Sequence, residues 1–411
     1  MSKKNNSGDW KKPAGLAVAA FALAAGIQYG PSAMKTASDI AEQGLDHPYF
    51  NEYTEIGPNG QVLADFDPLN EEVKKMKARY KGIEQVLGEG YQGRCLTAGQ
   101  VKEFADMKGN LPSNLNDNHR LLIKLHDMKR QSAVGRYINH SAAQSNVVNC
   151  VQNQTFAPYL GLYAHWVNVT TVNIGPVAKD AKEVMNDPKK LNLALRTSLE
   201  ETAHAWQNNT DNSINPPYAI NPLQSMMHTL GVEAQAKLAT FIALQEMRER
   251  GNAQPWNDAI SGRTTDKAQM DALQKVLDAN PGKKIHQIIK DTPEALVPVF
   301  RAFFDDPMPR KLYEEHIAGW AIRSNTAKAM PQAQYNELRG TVPGMNVNFL
   351  AKGGFSLDDP QMIAFFNPAA RDAVERAMKR VGAEPTKIPL QSEVKQKVPE
   401  PAQIAAPKLT Q

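Results

Sequence analysis

Residues 198–207 read SLEETAHAWQ, and the reading of these ten positions decides the fold. Leu191, Leu195, Leu199, Ala203 and Trp206 recur at helical spacing, so the stretch belongs to an amphipathic helix that starts near Pro188. On that helix Glu200 and His204 stand four apart, which puts both on one face within reach of a common ion. Glu201 is turned about 100° from Glu200, where a base addressing an ion-bound water would stand. Gln207 lies one turn beyond His204 and could orient a ligand or substrate. With histidine at position 200 the helix would read H-E-x-x-H, the zinc-peptidase pattern.

The same residues also admit a plainer reading. An isolated E-x-x-H occurs by chance in roughly half of chains this long. Glu200 could pair with Arg196 one turn back, Glu201 could be solvated, and His204 could bond a carbonyl inside a core. The neighbouring segments therefore carry weight. Upstream, HWVNVTTVNIGP alternates and is β-branched over residues 166–174 before a Gly-Pro stop, which predicts a strand. Downstream, NNTDNSINPPYAINP is a loop by its breakers, bordering the site and able to act as a lid. Beyond it a long helix over residues 223–250 carries Leu230, Ala234, Leu238, Phe241 and Ile242. GVEAQAKLA places Glu233 among small residues that permit close helix packing. A carboxylate there needs a partner, because an unpaired buried charge is costly, and Lys237 is one candidate.

Other histidines contribute less. His228 falls on a different face from Glu233, His165 abuts the predicted strand, and His316 lies with Tyr313 in RKLYEEHIAGW. Tyr313 is a candidate oxyanion-stabilising hydroxyl. E-x-x-H can also be half of a carboxylate-bridged di-iron bundle, which needs a second such motif. His204 is the one histidine of the chain with a glutamate at that spacing, which counts against this reading.

Outward from the centre, YTEIGPNGQVLADFDP predicts a hairpin around Pro58-Asn59-Gly60, followed by a helix over residues 68–87. Helical stretches follow over residues 97–107 and from 118 into the 140s, and later over 267–278, 293–304, 310–330 and 368–381. A glycine-rich segment within residues 340–355 interrupts the last two. From residue 382 onward, five prolines and few large apolar residues predict a disordered tail.

At the other end, Lys3, Lys4, Lys11 and Lys12 precede an uncharged apolar run over residues 14–27. A bilayer span needs roughly 20 such residues, so the run fits a signal peptide with an A-x-A site at residues 22–24, or a short membrane anchor. The chain of 411 residues carries a net charge of +4, with basic residues dispersed among acids, which leaves no nucleic-acid footprint. Its two cysteines, Cys95 and Cys150, could form a disulfide in an exported protein or stay as separate buried thiols.

At EETAHAWQ and EAQA the sequence resembles the gluzincin-type zinc metallopeptidases. More closely, it looks like a family of metallopeptidase type whose helix reads H-E-x-x-H-A-x-Q and whose later helix reads E-A-x-A, over residues 160–250. The resemblance implies that His204 and Glu233 are metal ligands and that Glu201 is the general base. Glu200 departs from the family by standing where the first histidine ligand stands. A Glu-His-Glu donor set is harder and more anionic than His-His-Glu, which moves preference from zinc toward manganese or iron.

The expected fold is thus α+β, mainly α-helical, with a zincin-like domain and a small sheet. The expected organisation is a signal peptide or membrane anchor over residues 1–33, a hairpin and helical region over 34–150, the zincin-like region over 151–381, and a Pro-rich tail over 382–411. The expected function is a metal-dependent hydrolase of the cell envelope, exported to the periplasm or membrane-anchored, acting on a peptide or protein. Glu201 and Tyr313 would be catalytic, and Glu200, His204 and Glu233 would hold zinc, manganese or iron. The alternative is a zincin-like protein whose site has decayed to binding or scaffolding.

Overall fold

The computed structural model describes residues 91–107, 110–155, 160–165, 167–209, 221–261, 266–307, 310–311, 313–314, 363–383 and 388–395. The expected leader, the Pro58-Asn59-Gly60 hairpin, the helix over 68–87, the loop over 210–220, the glycine-rich segment and His316 lie outside them.

Within the described residues the protein is mainly helical, with one small mixed sheet. The strands are β1 (Cys95–Thr97), β2 (Val148–Gln152), β3 (Gly161–Ala164) and β4 (Val169–Asn173), in the order β1-β2-β4-β3. β1 runs antiparallel to β2, β2 parallel to β4, and β3 antiparallel to β4. The strand expected over residues 166–174 is thus β4, trimmed to its β-branched centre. The turn before it uses Asn168 at a left-handed φ of 55°, a conformation asparagine tolerates better than most residues. β2 spans the division expected at residue 150 and joins strands from both sides of it in one sheet. Cys95 and Cys150 face each other across the β1–β2 ladder and form a disulfide.

Helices α1 (Ala98–Asp106), α2 (Asp117–Lys129) and α3 (Ala133–Gln144) lie between β1 and β2 in the chain. The single helix expected from residue 118 into the 140s is broken at residues 130–132. Ser132 caps α3 by accepting from the Gly135 amide at 2.8 Å, and a side chain at position 135 would collide with the Lys129 carbonyl. α4 (Ala181–Asn186) ends at Asp187, whose carboxylate caps the next helix through the Lys189 amide at 2.9 Å.

That next helix, α5 (Pro188–Asn209), carries the motif stretch in its second half, and α6 (Pro222–Glu249) is the one that carries Glu233. Pro188 and Pro222 stand at the first turns, and the Asn221 side chain caps α6 through the Gln224 amide. α5 lies against β3 and β4 on one side and α6 on the other, with α3 and α7 (Gln254–Ser261) also packed on it. Its predicted apolar stripe, Leu191 to Trp206, is buried throughout. α6 is enclosed on nearly every side over residues 230–247, and Ala234, Ala236 and Ala239 let its neighbours approach closely. α7, α9 (Ile285–Asp291) and α10 (Val297–Asp305) also pack on α6, and α8 (Lys267–Asp278) reaches it through Gln269, whose Nε2 donates to the Ala234 carbonyl at 3.3 Å. The helix expected over 293–304 divides into a 3-10 turn, Pro293–Leu296, and α10.

The C-terminal expectation needs correction. α11 (Pro368–Arg380) forms as expected, yet α12 (Gln391–Lys395) lies inside the predicted disordered tail. Ile388 is buried, and the Gln391 amide bonds the Phe365 carbonyl at 2.9 Å. A few apolar residues suffice there because a bridge to Phe365 holds them against an existing core.

Candidate metal centre

The site is built from matched turns of α5 and α6. Since four residues span about one turn, Glu200 and His204 are stacked on α5, and Glu233 and Lys237 on α6. The helices meet in opposite order. His204 Nε2 lies 3.4 Å from Glu233 Oε2, and Lys237 Nζ lies 2.9 Å from Glu200 Oε1. A third rung follows, where Gln207 Nε2 donates to the Val232 carbonyl at 3.1 Å and to Gln235 Oε1 at 3.0 Å. Glu200, His204 and Glu233 each offer one ligand atom, and these atoms lie within 4.8 Å of one another. It is the one such group among the described residues. Both candidate carboxylates are partly exposed, while His204 is buried.

Gln207 also settles the orientation of His204. Its Oε1 lies 3.0 Å from His204 Nδ1 and can accept a hydrogen bond from the Nδ1–H, which leaves Nε2 toward Glu233. A ring held this way presents a defined nitrogen to an ion, as outer hydrogen bonds do in metal sites generally. Burial works against charge on His204, but the Glu233 carboxylate more than reverses it, and the ring pKa rises to about 9. Without an ion, His204 is therefore an imidazolium paired with Glu233 at neutral pH.

Glu201 faces the sheet side of α5. Burial pushes its carboxyl up to about 8, with Glu200 and Glu233 adding to the rise and His204 opposing it. It sits against the first residue of β3, since a Cβ at Gly161 would overlap Glu201 Oε1 and Thr197. Tyr313 is buried beside the ring of Phe303, at 5.5 Å between centroids. Burial raises its hydroxyl well above the usual tyrosine range, with Lys237 opposing and Glu233, Glu200 and Asp266 reinforcing. All five residues singled out from the sequence thus share one electrostatic neighbourhood. His165 follows β3 and is no part of the ligand cluster, and the side chain of His228 is outside the described residues.

The simple pairings expected for the plainer reading do not occur. Arg196 reaches Asp266 at 3.6 Å instead of Glu200, and Lys237 joins Glu200 and Asp266 instead of Glu233. Sequence reasoning missed Asp266, which lies between α7 and α8 with nothing local to mark it. The role of Lys237 could have been read from its place one turn after Glu233. The residue types present suit a divalent ion, as three oxygen and nitrogen donors converge and one histidine nitrogen is preset.

No protein-family model, no curated protein and no solved structure matches this chain.

Proposed function

We propose that the chain is a metal-dependent hydrolase acting on the peptide bonds of a peptide or protein in the cell envelope. The convergence of Glu200, His204 and Glu233, with Glu201 beside them, carries this reading. The ion, zinc or else manganese or iron, supplies Lewis acidity that polarises a carbonyl and lowers the pKa of a water. Glu201 accepts the proton of the attacking water at its carboxylate and delivers it to the departing amine. Its raised pKa suits both halves of that transfer, because acid and base forms coexist near neutrality. Tyr313 keeps its proton at any physiological pH and donates a hydrogen bond to the developing oxyanion. The Cys95–Cys150 disulfide supports export, since such bonds persist in oxidising compartments.

The Lys237–Glu200 contact favours a second reading, in which the carboxylate is already satisfied and the site is a binding or scaffold relic. Elemental analysis of protein purified without chelator, followed by turnover of a peptide library with added zinc or manganese, separates the two. We expect one equivalent of metal and measurable cleavage. Glu201→Gln should keep the metal while cleavage falls at least about a hundredfold, the scale of general-base removal. Absence of metal and cleavage from the wild-type protein would leave only the second reading.

A further inference from the structure

Lys237 approaches Glu200 at 2.9 Å and Asp266 at 2.9 Å, and Asp266 is approached by Arg196 at 3.6 Å. The side chains of Lys237, Asp266 and Arg196 are only 6%, 5% and 12% exposed, so water screens this chain of charges weakly. Counted along it, Arg196 balances Asp266, and the ammonium of Lys237 remains to balance Glu200. An ionised glutamate bonded to an ammonium is a neutral ligand in net charge, as an imidazole is. We infer that Lys237 is a positioning and charge-compensating residue that makes Glu200 the electrical equivalent of a neutral histidine, so the site selects zinc over manganese.

This inference rests on the metal reading of Glu200, His204 and Glu233. It predicts the reverse of what the donor types alone imply. By donor type, Glu200 makes the site harder and more anionic, and Glu200→His should then tighten zinc. With Lys237 counted, Glu200→His removes the anion that the ammonium balances. Zinc then binds beside an uncompensated positive charge a few ångströms away, which at the effective dielectric of a protein interior weakens affinity by at least about a thousandfold. Lys237→Met does the opposite by leaving Glu200 anionic, which raises overall cation affinity but lowers the preference for zinc over manganese. Glu200→His with Lys237→Met restores the original net charge, and zinc affinity should return to within a few-fold of wild type.

The test is a cycle of these four proteins, wild type, E200H, K237M and E200H/K237M. Zinc and manganese are titrated calorimetrically into each metal-free protein, with circular dichroism to confirm folding. Weaker zinc binding by E200H, recovered in the double variant, with a lowered zinc-to-manganese affinity ratio in K237M, is the expected pattern. Tighter zinc binding by E200H than by wild type overturns the compensation while leaving the metal site standing. Failure of the wild type to bind either metal overturns the metal reading itself, and this inference with it. Should K237M not fold because Asp266 loses a partner, the sign of the E200H change still decides.

Discussion

Lys129 shows how much a single residue can cost the protein. Its ammonium is buried between α2 and α5, and its recorded partner is the Thr202 hydroxyl at 2.9 Å. Desolvation lowers its pKa from 10.5 to about 7. The unfolded chain therefore holds more protons than the folded one between those two values, and stability rises with pH across that window. Below pH 7 the penalty is complete. Lys129→Met should stabilise the protein by on the order of 3 kcal/mol at pH 6 and by little at pH 10.5, read from urea midpoints at the two values. Thr202 keeps its own bond to the Ser198 carbonyl, so the substitution strands no hydroxyl. His126, one turn earlier, shares the small polar cavity with Lys129, Asn139 and Ser198. Burial and the charge of Lys129 depress it to about 3, which adds a further loss of stability as pH falls below the ordinary 6.5. An equal pH profile for wild type and Lys129→Met would show that the amine is charge-balanced by something other than Thr202.

At the scale of elements, β3 is the edge strand that fixes Glu201. Gly161 begins it with no side chain, and the space a Cβ would take is filled by Glu201 and Thr197. Gly161→Ala should push β3 from α5, with a loss of about 1–3 kcal/mol from overpacking, and expose the half-buried Glu201 further to water. The carboxyl pKa should then fall from about 8 toward its ordinary 4.5, seen as an acid shift in its NMR titration. An unshifted titration would separate the strand from the carboxyl. What was legible in the sequence at this scale follows from period and caps. α5, α6, α8 and α11 were readable because apolar spacing, an initial proline or a capping asparagine agree with the tertiary fold. β1, β2 and β3 were not, being three to five residues long and held by ladder partners distant in sequence. The break at Ser132 was missed because Val134 and Ile138 continue the helical period across it. In the site, Glu200, His204, Glu233 and Glu201 were findable from spacing within two helices. Asp266 and Gly161 were not, because their partners are set by packing alone.

At the scale of the whole molecule, the ion couples to protons. His204 holds its proton up to about 9 when folded and 6.5 when unfolded. Taken alone, this favours folding fully below pH 6.5, and the gain is lost as pH rises through 9. An ion that takes Nε2 must displace that proton, since only the neutral ring can coordinate. Glu201, raised to about 8, releases part of another when a cation arrives nearby. Metal binding at pH 7 should therefore release between about one and two protons, and at pH 9.5 well under one. Calorimetry in buffers of differing ionisation enthalpy reads this number as the slope of apparent heat against buffer enthalpy. The same linkage makes thermal stability depend on metal and pH together. A ligand at a hundred times its dissociation constant adds about 2.7 kcal/mol, and the increment should grow from pH 6 to pH 8 as competition from the His204 proton fades. Metal binding with no proton release at pH 7 would mean that His204 is not a ligand. The ion would then sit on carboxylates alone, and the pairing of His204 with Glu233 would be a structural ion pair of the α5–α6 interface.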